Sequence, residues 1–409
     1  MKNLFLVIVG ITSLAWGQEV MSPRIRGFRV YGSSEAALPV ARLRSQPMTL
    51  EFDVVSDDPP ALELKFVHCD RDWNITPTSF VNDEIRNRSK SSFTAEPSPN
   101  GVRGYRFHYS IRIPGYPIFD GFLYSGNYLV QLWDRGNEEM LAQGRFFVTE
   151  DRLVPRMRVS NRQEPSASSP YNQVHEIRVG FGVPPPDSSG ASAFEAAYFS
   201  CVDVYKNREM ARPRRISTDD QDPHTFVGGF GTQRLEFVAD DMQPGSEYRV
   251  IDLRDLDFYQ QGRQLRPRDG ADVSRFLGKM TPDRNGSSSI VRGTAYADYL
   301  DFSFELLWKS GGEDAMYVVG DFNGWKTGPS SLMSRVGDRY VWNTVLRRGT
   351  YDYQYVLGED WVVLEGNDWR TTNTYTAFVY YRDPRFGGFD RLVGVAHGRS
   401  PGGTSPTSN

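Results

Sequence analysis

The chain has 409 residues, and its 47 basic and 51 acidic side chains give a formal net charge of −4. This length corresponds to about three domains of ordinary size. A weakly acidic chain has no excess of positive charge to attract nucleic acid or an anionic membrane surface, and we expect neither as a partner. Aromatic residues make up 13%, alongside 38 Gly and 25 Pro, which favours short strands joined by turns. The composition therefore predicts an all-β protein.

The N-terminus has the features of a cleavable secretory signal. Lys2 precedes an apolar run from Leu4 to Trp16, and a small residue follows at Gly17. The alternative, a membrane anchor, would need roughly 20 apolar residues to span a bilayer, and this run is shorter. We therefore expect residues 1–17 to be a signal peptide and the mature chain to be a soluble exported protein without direct membrane insertion.

Residues 18–154 are predicted to form an N-terminal β-sandwich. In LELKFVHC (62–69), alternate positions would share one face of a sheet. The segments YRFHYSIRI (105–113), SGNYLVQLWD (125–134) and GRFFV (144–148) repeat this pattern. Short strands at such spacing, separated by turns that contain Gly and Pro, are typical of a sandwich.

A second β-sandwich is predicted over residues 155–293. The polar stretch SNRQEPSASSPYNQ (160–173) lacks apolar periodicity, which predicts an exposed linker or a long loop near a domain boundary. The strand patterns after it are HEIRVGF (175–181), AYFSCVDVY (197–205), TFVGGF (225–230), RLEFVA (234–239) and EYRVIDL (247–253).

Residues 294–382 are predicted to form a third sandwich, and residues 383–409 a disordered tail, since GRSPGGTSPTSN has too few apolar residues to fold. The predicted strands of the third block are LDFSFELLW (300–308), AMYVVGDF (315–322), YVWNTVL (340–346), TYDYQYVLG (350–358) and TAFVYYR (376–382). The fold class is therefore all-β, with tandem immunoglobulin-like or early-set β-sandwich domains.

Motifs for catalysis or metal binding are absent from the sequence. It contains no Gly-x-Ser-x-Gly elbow, no phosphate-binding loop and no His-Glu-x-x-His. The five histidines are too widely spaced to indicate a zinc site. A pair of carboxylates brought together by the fold stays open, since a sequence does not reveal it. We expect a protein that is not an enzyme and that binds no cofactor or metal.

The segment VHCDRDWN holds the densest local group of reactive side chains. His68 and Cys69 fall on opposite faces of a strand, so they cannot converge on one metal or substrate. The alternative is structural: Asp70 and Asp72, where the strand gives way to a turn, would cap amides of that turn, and Trp73 would cover the end of the sandwich.

The chain has two cysteines, Cys69 and Cys201. An exported protein could join them in one disulfide bond. Each lies within an apolar strand pattern, which favours two buried free thiols.

Trp325 and Trp361 follow predicted strands, at turns where an indole ring could be exposed. Exposed indoles suit stacking against a sugar ring, and they equally suit anchoring a protein partner. Alternatively, both rings cover the core of their own sandwich.

The third block is similar to the early-set, glycogen-binding-like modules. The resemblance lies in VVGDFNGW (318–325) and RRGTYDYQYVLGEDW (347–361). In sugar-binding members, tryptophans that match Trp325 and Trp361 stack on glucan, and a strand lysine contacts it. Gln354 occupies the place of that lysine here.

Four further motifs, in order along the chain, resemble the plug protein of the type IX secretion system. They are FVHCDRDWN (66–74), SGNYLVQLWDRG (125–136), PYNQ (170–173) and EGNDWRTTNTYTAFVYYR (365–382). The resemblance implies a periplasmic protein that closes the periplasmic mouth of a large outer-membrane translocon barrel when no substrate shuttle is engaged. Its partner would be that barrel. The alternative implied by the early-set resemblance is a periplasmic glycan-binding protein.

Overall fold

The computed structural model describes residues 18–43, 45–163, 173–185, 194–275, 282–309, 315–382, 384 and 387–401. The predicted signal peptide (1–17) and the end of the predicted tail (402–409) lie outside these residues. The fold is all-β, as predicted: six sheets form three sandwiches, and the helical elements described are 3-10 turns of three residues.

The first sandwich contains nine strands, namely β1 (Glu19–Val20), β2 (Ile25–Tyr31), β3 (Val40–Arg42), β4 (Met48–Val54), β5 (Leu62–Cys69), β6 (Glu96–Pro97), β7 (Phe107–Ile113), β8 (Gly126–Asp134) and β9 (Glu139–Thr149). One sheet has the order β1-β9-β8-β5, with β3 parallel to β9, and the other has the order β2-β4-β7-β6. Alternate residues of each strand fill the core between them, such as Leu50, Phe52 and Val54 of β4.

The second sandwich begins with six strands, namely β10 (Arg156–Gln163), β11 (Gln173–Gly182), β12 (Phe199–Lys206), β13 (Arg214–Ser217), β14 (Thr225–Gly228) and β15 (Arg234–Met242). One sheet has the order β10-β11-β15-β14, and β12 and β13 belong to the facing sheet. Strand β10 includes residues 160–163, so the predicted linker begins as a paired strand, and residues 164–172 lie outside the described part. Val179, Val202 and Phe237 belong to the core of this sandwich.

The third sandwich follows with eight strands, namely β16 (Arg249–Asp252), β17 (Asp272–Val273), β18 (Ser288–Ile290), β19 (Tyr299–Leu307), β20 (Met316–Gly320), β21 (Ser334–Val336), β22 (Arg339–Arg347) and β23 (Gly349–Leu357). One sheet has the order β16-β23-β18, with β20 also paired to β23, and the other has the order β17-β19-β22-β21. Aromatic residues such as Phe302, Phe304 and Tyr353 fill its core.

Strands β24 (Thr374–Arg382) and β25 (Asp390–Arg399) return the chain to the second sandwich. Strand β24 pairs with β12, and β25 pairs with β24, which gives the sheet order β13-β12-β24-β25. The third sandwich is therefore inserted between β15 and β24 of the second.

This topology differs from the division predicted from the sequence. The segment 247–253, assigned to the second sandwich, supplies β16 of the third. The segment 376–382, assigned to the third sandwich, lies in β24 of the second. Residues 390–399, assigned to the tail (383–409), form β25. The apolar pattern of a strand indicates that it is a strand, but its partner is distant in sequence and is chosen by tertiary packing.

Candidate functional site

His68 lies at the seam between the first and second sandwiches, fully buried at the end of β5. Its Nε2 is 3.0 Å from the carbonyl oxygen of Ser125, and its Nδ1 is 2.8 Å from the hydroxyl oxygen of Thr76. Its ring packs edge-on against Phe389, with centroids 5.6 Å apart. Burial lowers the pKa of His68 to about 4, so the imidazole is neutral at pH 7 and is held as a packing element.

Asp70 and Trp73 shape the turn after β5. Asp70 Oδ1 accepts hydrogen bonds from the backbone amides of Asp72 and Asn74, each at 2.9 Å. Trp73 is 5% exposed, and the guanidinium of Arg145 lies 4.2 Å from the centre of its ring. The Asp70 carboxylate therefore closes the turn, and the indole is packed inside the seam. The carboxylate of Asp72, expected to cap the turn as well, instead pairs with Arg215 of β13.

Cys69 and Cys201 come from different sandwiches and lie in one apolar cluster at the seam. Both are buried free thiols, as the strand patterns favour. In the same cluster, Phe147 of β9 stacks on Phe378 of β24 with centroids 4.1 Å apart. A seam packed like a protein core joins two sandwiches into one rigid unit, because separating them would expose apolar surface to water.

Polar contacts reinforce this seam. Arg391 of β25 donates from Nε and Nη2 to the carboxylate of Glu150, at 2.8 and 2.7 Å. The Tyr380 hydroxyl donates to Asn127 Oδ1 at 2.8 Å. Paired hydrogen bonds from arginine to carboxylate fix orientation as well as distance, so they set the angle between the sandwiches.

The motif GDFNGW forms a tight turn after β20. Asn323 holds it from both sides: its Oδ1 accepts from the amide of Gly320 at 3.0 Å, and its Nδ2 donates to the carbonyl of Val318 at 2.9 Å. Phe322 points into the third core and stacks on Trp342, with centroids 5.6 Å apart. The motif therefore has a local folding role in addition to any role at the surface.

Of the two alternatives left open for Trp325, an exposed ring or a ring that covers its own core, the structure shows the second. Its side chain is fully buried, its indole N–H donates to the carbonyl of Gly286 at 2.9 Å, and its ring packs on Tyr248 with centroids 4.4 Å apart. The third sandwich begins at β16, so Tyr248, immediately before it, is brought over the turn. No sugar can stack on a ring covered in this way.

Trp361 is half-buried and packs at the edge of the same small cluster as Trp325. The guanidinium of Arg212, from the second sandwich, lies 4.1 Å from the centre of its ring. The two tryptophans are thus brought together, but one is internal and a cation covers the other. They connect the second and third sandwiches.

Asp321, the acidic residue of the same motif, lies where all three sandwiches meet. Arg208 of the second sandwich donates from Nε to Asp321 Oδ1 at 2.9 Å, and from Nη2 to the Val30 carbonyl of the first at 3.3 Å. Arg29 of β2 lies 3.5 Å from Asp321 Oδ2 and donates to the Ser288 carbonyl at 3.1 Å. Burial opposes ionisation of Asp321, but the charges of Arg208 and Arg29 outweigh it and lower the pKa of Asp321.

A second buried ionic group joins the first and third sandwiches. Asp53 of β4 accepts from Arg347 Nη1 and from the Tyr299 hydroxyl, each at 2.7 Å. Glu51, two residues earlier on the same face, pairs with Arg292. Both carboxylates are 1% exposed. Charges buried to this degree need such partners, so the two sandwiches are held in one arrangement.

His108 of β7 bridges the two carboxylates on the first sandwich. Its Nδ1 lies 2.7 Å from Asp53 Oδ1, and its Nε2 lies 3.3 Å from Glu51 Oε1. Burial alone would lower the pKa of His108, but the hydrogen bonds to Asp53 and Glu51 outweigh it and raise the pKa to about 9. The imidazole is therefore positively charged at pH 7.

Two glycines of the first sandwich allow Tyr299 to reach Asp53. Gly27 and Gly104 have φ of +56° and +101°, and a side chain at either position would collide with Tyr299. Only glycine tolerates both the left-handed backbone and the close approach.

Sequence reasoning did not identify Glu51, Asp53, His108, Arg208 or Asp321 as site residues. The first three alternate with apolar residues on their strands, as side chains on a solvated face do. Burial of that face depends on the third sandwich, which is more than 100 residues further along the chain. No local signal distinguishes a wet polar face from a covered one.

Within the described ranges, no three His, Cys, Asp or Glu side chains are grouped to hold a metal ion. The same residues contain no helix of the length and apolarity needed to cross a bilayer.

Residues 25–150, which span most of the first sandwich, match the family model described as the first domain of the type 9 secretion system plug protein. This match supports a relationship of the first sandwich to the plug-protein family. It also supports a role in type IX secretion and an envelope-associated location. A search of curated proteins finds no match to the chain.

Among solved structures, the chain is similar to a hypothetical protein from Parabacteroides merdae, with a TM-score of 0.74 and 18% identity, over 95% of this chain and 100% of that one. That likeness shows a shared fold across all three sandwiches. A bacterial ice-binding adhesin (10% identity, 93% of this chain and 98% of that one) and the B domain of a biofilm-associated protein (8%, 92% and 86%) have TM-scores of only 0.15 and 0.17.

Proposed function

We propose that this protein is a non-catalytic, periplasmic plug of the type IX secretion system, which closes the periplasmic opening of the outer-membrane translocon barrel when no substrate shuttle is engaged. The observation that carries the proposal is the match of residues 25–150 to the plug-protein domain. The predicted signal peptide at residues 1–17 supports export, and with it the periplasmic location in this proposal.

The contacts between the three sandwiches suit this function. A plug must resist deformation, because a body that bends would leave gaps around a wide pore. Three sandwiches that meet at Asp321, with an apolar seam at Cys69 and Cys201 and buried ion pairs at Asp53, behave as one body.

Exposed apolar side chains on the first sandwich offer anchors for the barrel. Tyr116 is 92% exposed and Leu123 is 58% exposed, both on the loop between β7 and β8. Phe80, 46% exposed, packs against Tyr124 of that loop with ring centroids 5.6 Å apart. Exposed aromatic and aliphatic side chains on a matched domain are candidates for a protein interface.

Glycan binding, the alternative function, loses its main support. It depended on two open indoles, and Trp325 is buried while Arg212 covers Trp361. In this proposal the third sandwich, which carries the early-set resemblance in residues 318–325 and 347–361, joins the other two sandwiches and does not bind sugar.

The test is affinity purification of the tagged protein from its own cell envelope, followed by mass spectrometry. We expect one very large outer-membrane barrel protein in near-equal amount. Tyr116→Ser combined with Leu123→Ser should reduce recovery of the barrel, because it removes exposed apolar contacts without touching the core. Recovery of the tagged protein without any barrel would overturn the proposal.

The control is the paired substitution Val336→Ser and Val363→Ser. Both valines are exposed on the third sandwich, 62% and 46% respectively, so the number of exposed apolar groups removed is the same. Barrel recovery should be unchanged in this control. Equal loss in both double variants would contradict the assignment of the β7–β8 loop as the contact surface.

A further inference from the structure

The outer face of the β10-β11-β15-β14 sheet is rich in arginine, although the chain as a whole is acidic. Its inward residues belong to the core of the second sandwich, so the alternate residues face outward. We call this outer surface the arginine face. Its charged members are the arginines Arg156, Arg158, Arg162, Arg178 and Arg234 and the acids Glu176, Glu236 and Asp240.

Three of these arginines are exposed and have no acidic partner among the described residues. Arg162 and Arg178 pair with Glu176, Glu236 or Asp240. In the portion of the chain that the structure describes, Arg156, Arg158 and Arg234 form no ion pair. The face therefore keeps three guanidinium groups available to an outside anion.

Glycines form the floor between these arginines. Gly180 lies directly opposite Arg156 on β10 and Glu236 on β15, and Gly182 lies opposite Arg234. The missing side chains leave an open trough of about 860 Å³ that is lined by Arg156, Arg158, Arg178 and Arg234.

Neither glycine is required by the backbone. A Cβ at Gly180 would come no closer than 3.8 Å to its nearest neighbour, the Leu235 carbonyl oxygen, and a Cβ at Gly182 would lie 3.8 Å from the Gln233 carbonyl oxygen. Neither residue has a left-handed φ. Glycine inside a strand costs stability and otherwise marks a place where another backbone approaches closely.

We propose that the arginine face binds an extended polypeptide segment of net negative charge. Its carboxylates pair with Arg156, Arg158 and Arg234, and its backbone lies over Gly180 and Gly182. Arginine presents a planar fork that matches a carboxylate, and the glycine floor gives a polypeptide the close approach that a side chain would block. The inference goes beyond the plug function, because it concerns the second sandwich and a different partner.

The mixed charge of the face favours a polypeptide over an anionic membrane. Glu236 stands within the trough and Glu176 lies nearby on β11. A uniformly anionic surface would be repelled by these carboxylates, whereas a peptide can place a neutral or basic residue opposite each one.

The test uses the full mature chain and a fluorescein-labelled, Glu-rich peptide of roughly ten residues, long enough to cross the sheet. Fluorescence anisotropy should show binding that weakens as salt is added. We expect Arg156→Ser combined with Arg158→Ser to weaken binding about tenfold or more. Gly180→Thr should weaken it similarly by filling the trough, without lowering the thermal unfolding temperature, since threonine favours strands.

The matched control is Arg86→Ser combined with Arg335→Ser, which removes the same charge from exposed positions on the other two sandwiches. Its affinity should equal that of the parent chain. The proposal is overturned if the peptide does not bind, if the control weakens binding equally, or if Gly180→Thr leaves it unchanged. Binding to vesicles with anionic lipid but not to the peptide would also overturn it.

Discussion

Arg208 and Asp321 form a buried ion pair, Nε to Oδ1 at 2.9 Å, between two sandwiches, with both side chains 4% exposed. Arg208 also donates to the carbonyl oxygens of Val30 and Ala37 in the first sandwich. The Arg208 guanidinium, which belongs to the second sandwich, therefore contacts the first sandwich through two carbonyl oxygens and the third through Asp321. This contact helps to set the relative positions of the three sandwiches.

Asp321→Ala should destabilise the protein strongly. It leaves Arg208 and Arg29 buried without their shared carboxylate, and breaking a buried pair in this way costs about 3 to 5 kcal/mol. Urea unfolding should show the first transition at lower denaturant. The control is Asp338→Ala, an exposed residue of the same sandwich that should change stability by less than about 0.5 kcal/mol. Equal destabilisation by Asp321→Ala and Asp338→Ala would contradict the role of Asp321 in holding the sandwiches together.

His108 should make stability fall at mildly alkaline pH. Its folded pKa of about 9 lies above the ordinary value of about 6.5, so the folded state binds the proton more tightly. The stabilisation is fully present below pH 6.5 and is lost as the pH rises through 9, for a total of about 3 kcal/mol. We expect His108→Asn to remove most of this decline when unfolding is measured between pH 6 and 9.5. The same decline in both proteins would show that another group causes it.

Substitution of the two tryptophans should separate fold from sugar binding. Trp325→Ala removes a fully buried ring and should cost about 3 to 5 kcal/mol. Trp361→Ala mainly removes the contact with Arg212 and should cost about 1 kcal/mol or less. Neither change should alter behaviour on immobilised maltooligosaccharide, because we expect that the parent chain is not retained there. Retention of the parent chain that is lost in Trp361→Ala would restore the glycan hypothesis.

Both cysteines should resist alkylation until the protein unfolds. Burial raises the pKa of the Cys69 thiol to about 12 and raises that of Cys201 as well, so neither is a thiolate at pH 7. Intact mass after maleimide treatment should show no adduct on the native protein and two adducts in denaturant. A native adduct, or a mass that indicates a disulfide bond, would contradict the packed seam.

Much of the fold was predictable from local pattern. Alternation in segments such as LELKFVHC and TYDYQYVLG gave the strands, because one strand face meets a core and the other does not. The same reasoning favoured free thiols at Cys69 and Cys201, and the structure confirms it. Local pattern also predicted that Asp70 caps amides of its turn, and two amide hydrogen bonds at 2.9 Å confirm it.

The sequence by itself determined the all-β class, most strand positions and the similarity of the first sandwich to plug proteins, since these depend on neighbouring residues and short motifs. Only the tertiary structure decided that β24 and β25 complete the second sandwich, that Trp325 is internal, and that Glu51 and Asp53 face another sandwich. Those outcomes depend on contacts between residues more than 100 positions apart. The free energy of such contacts comes from burial and charge pairing after the chain has folded, and no short stretch of sequence records it.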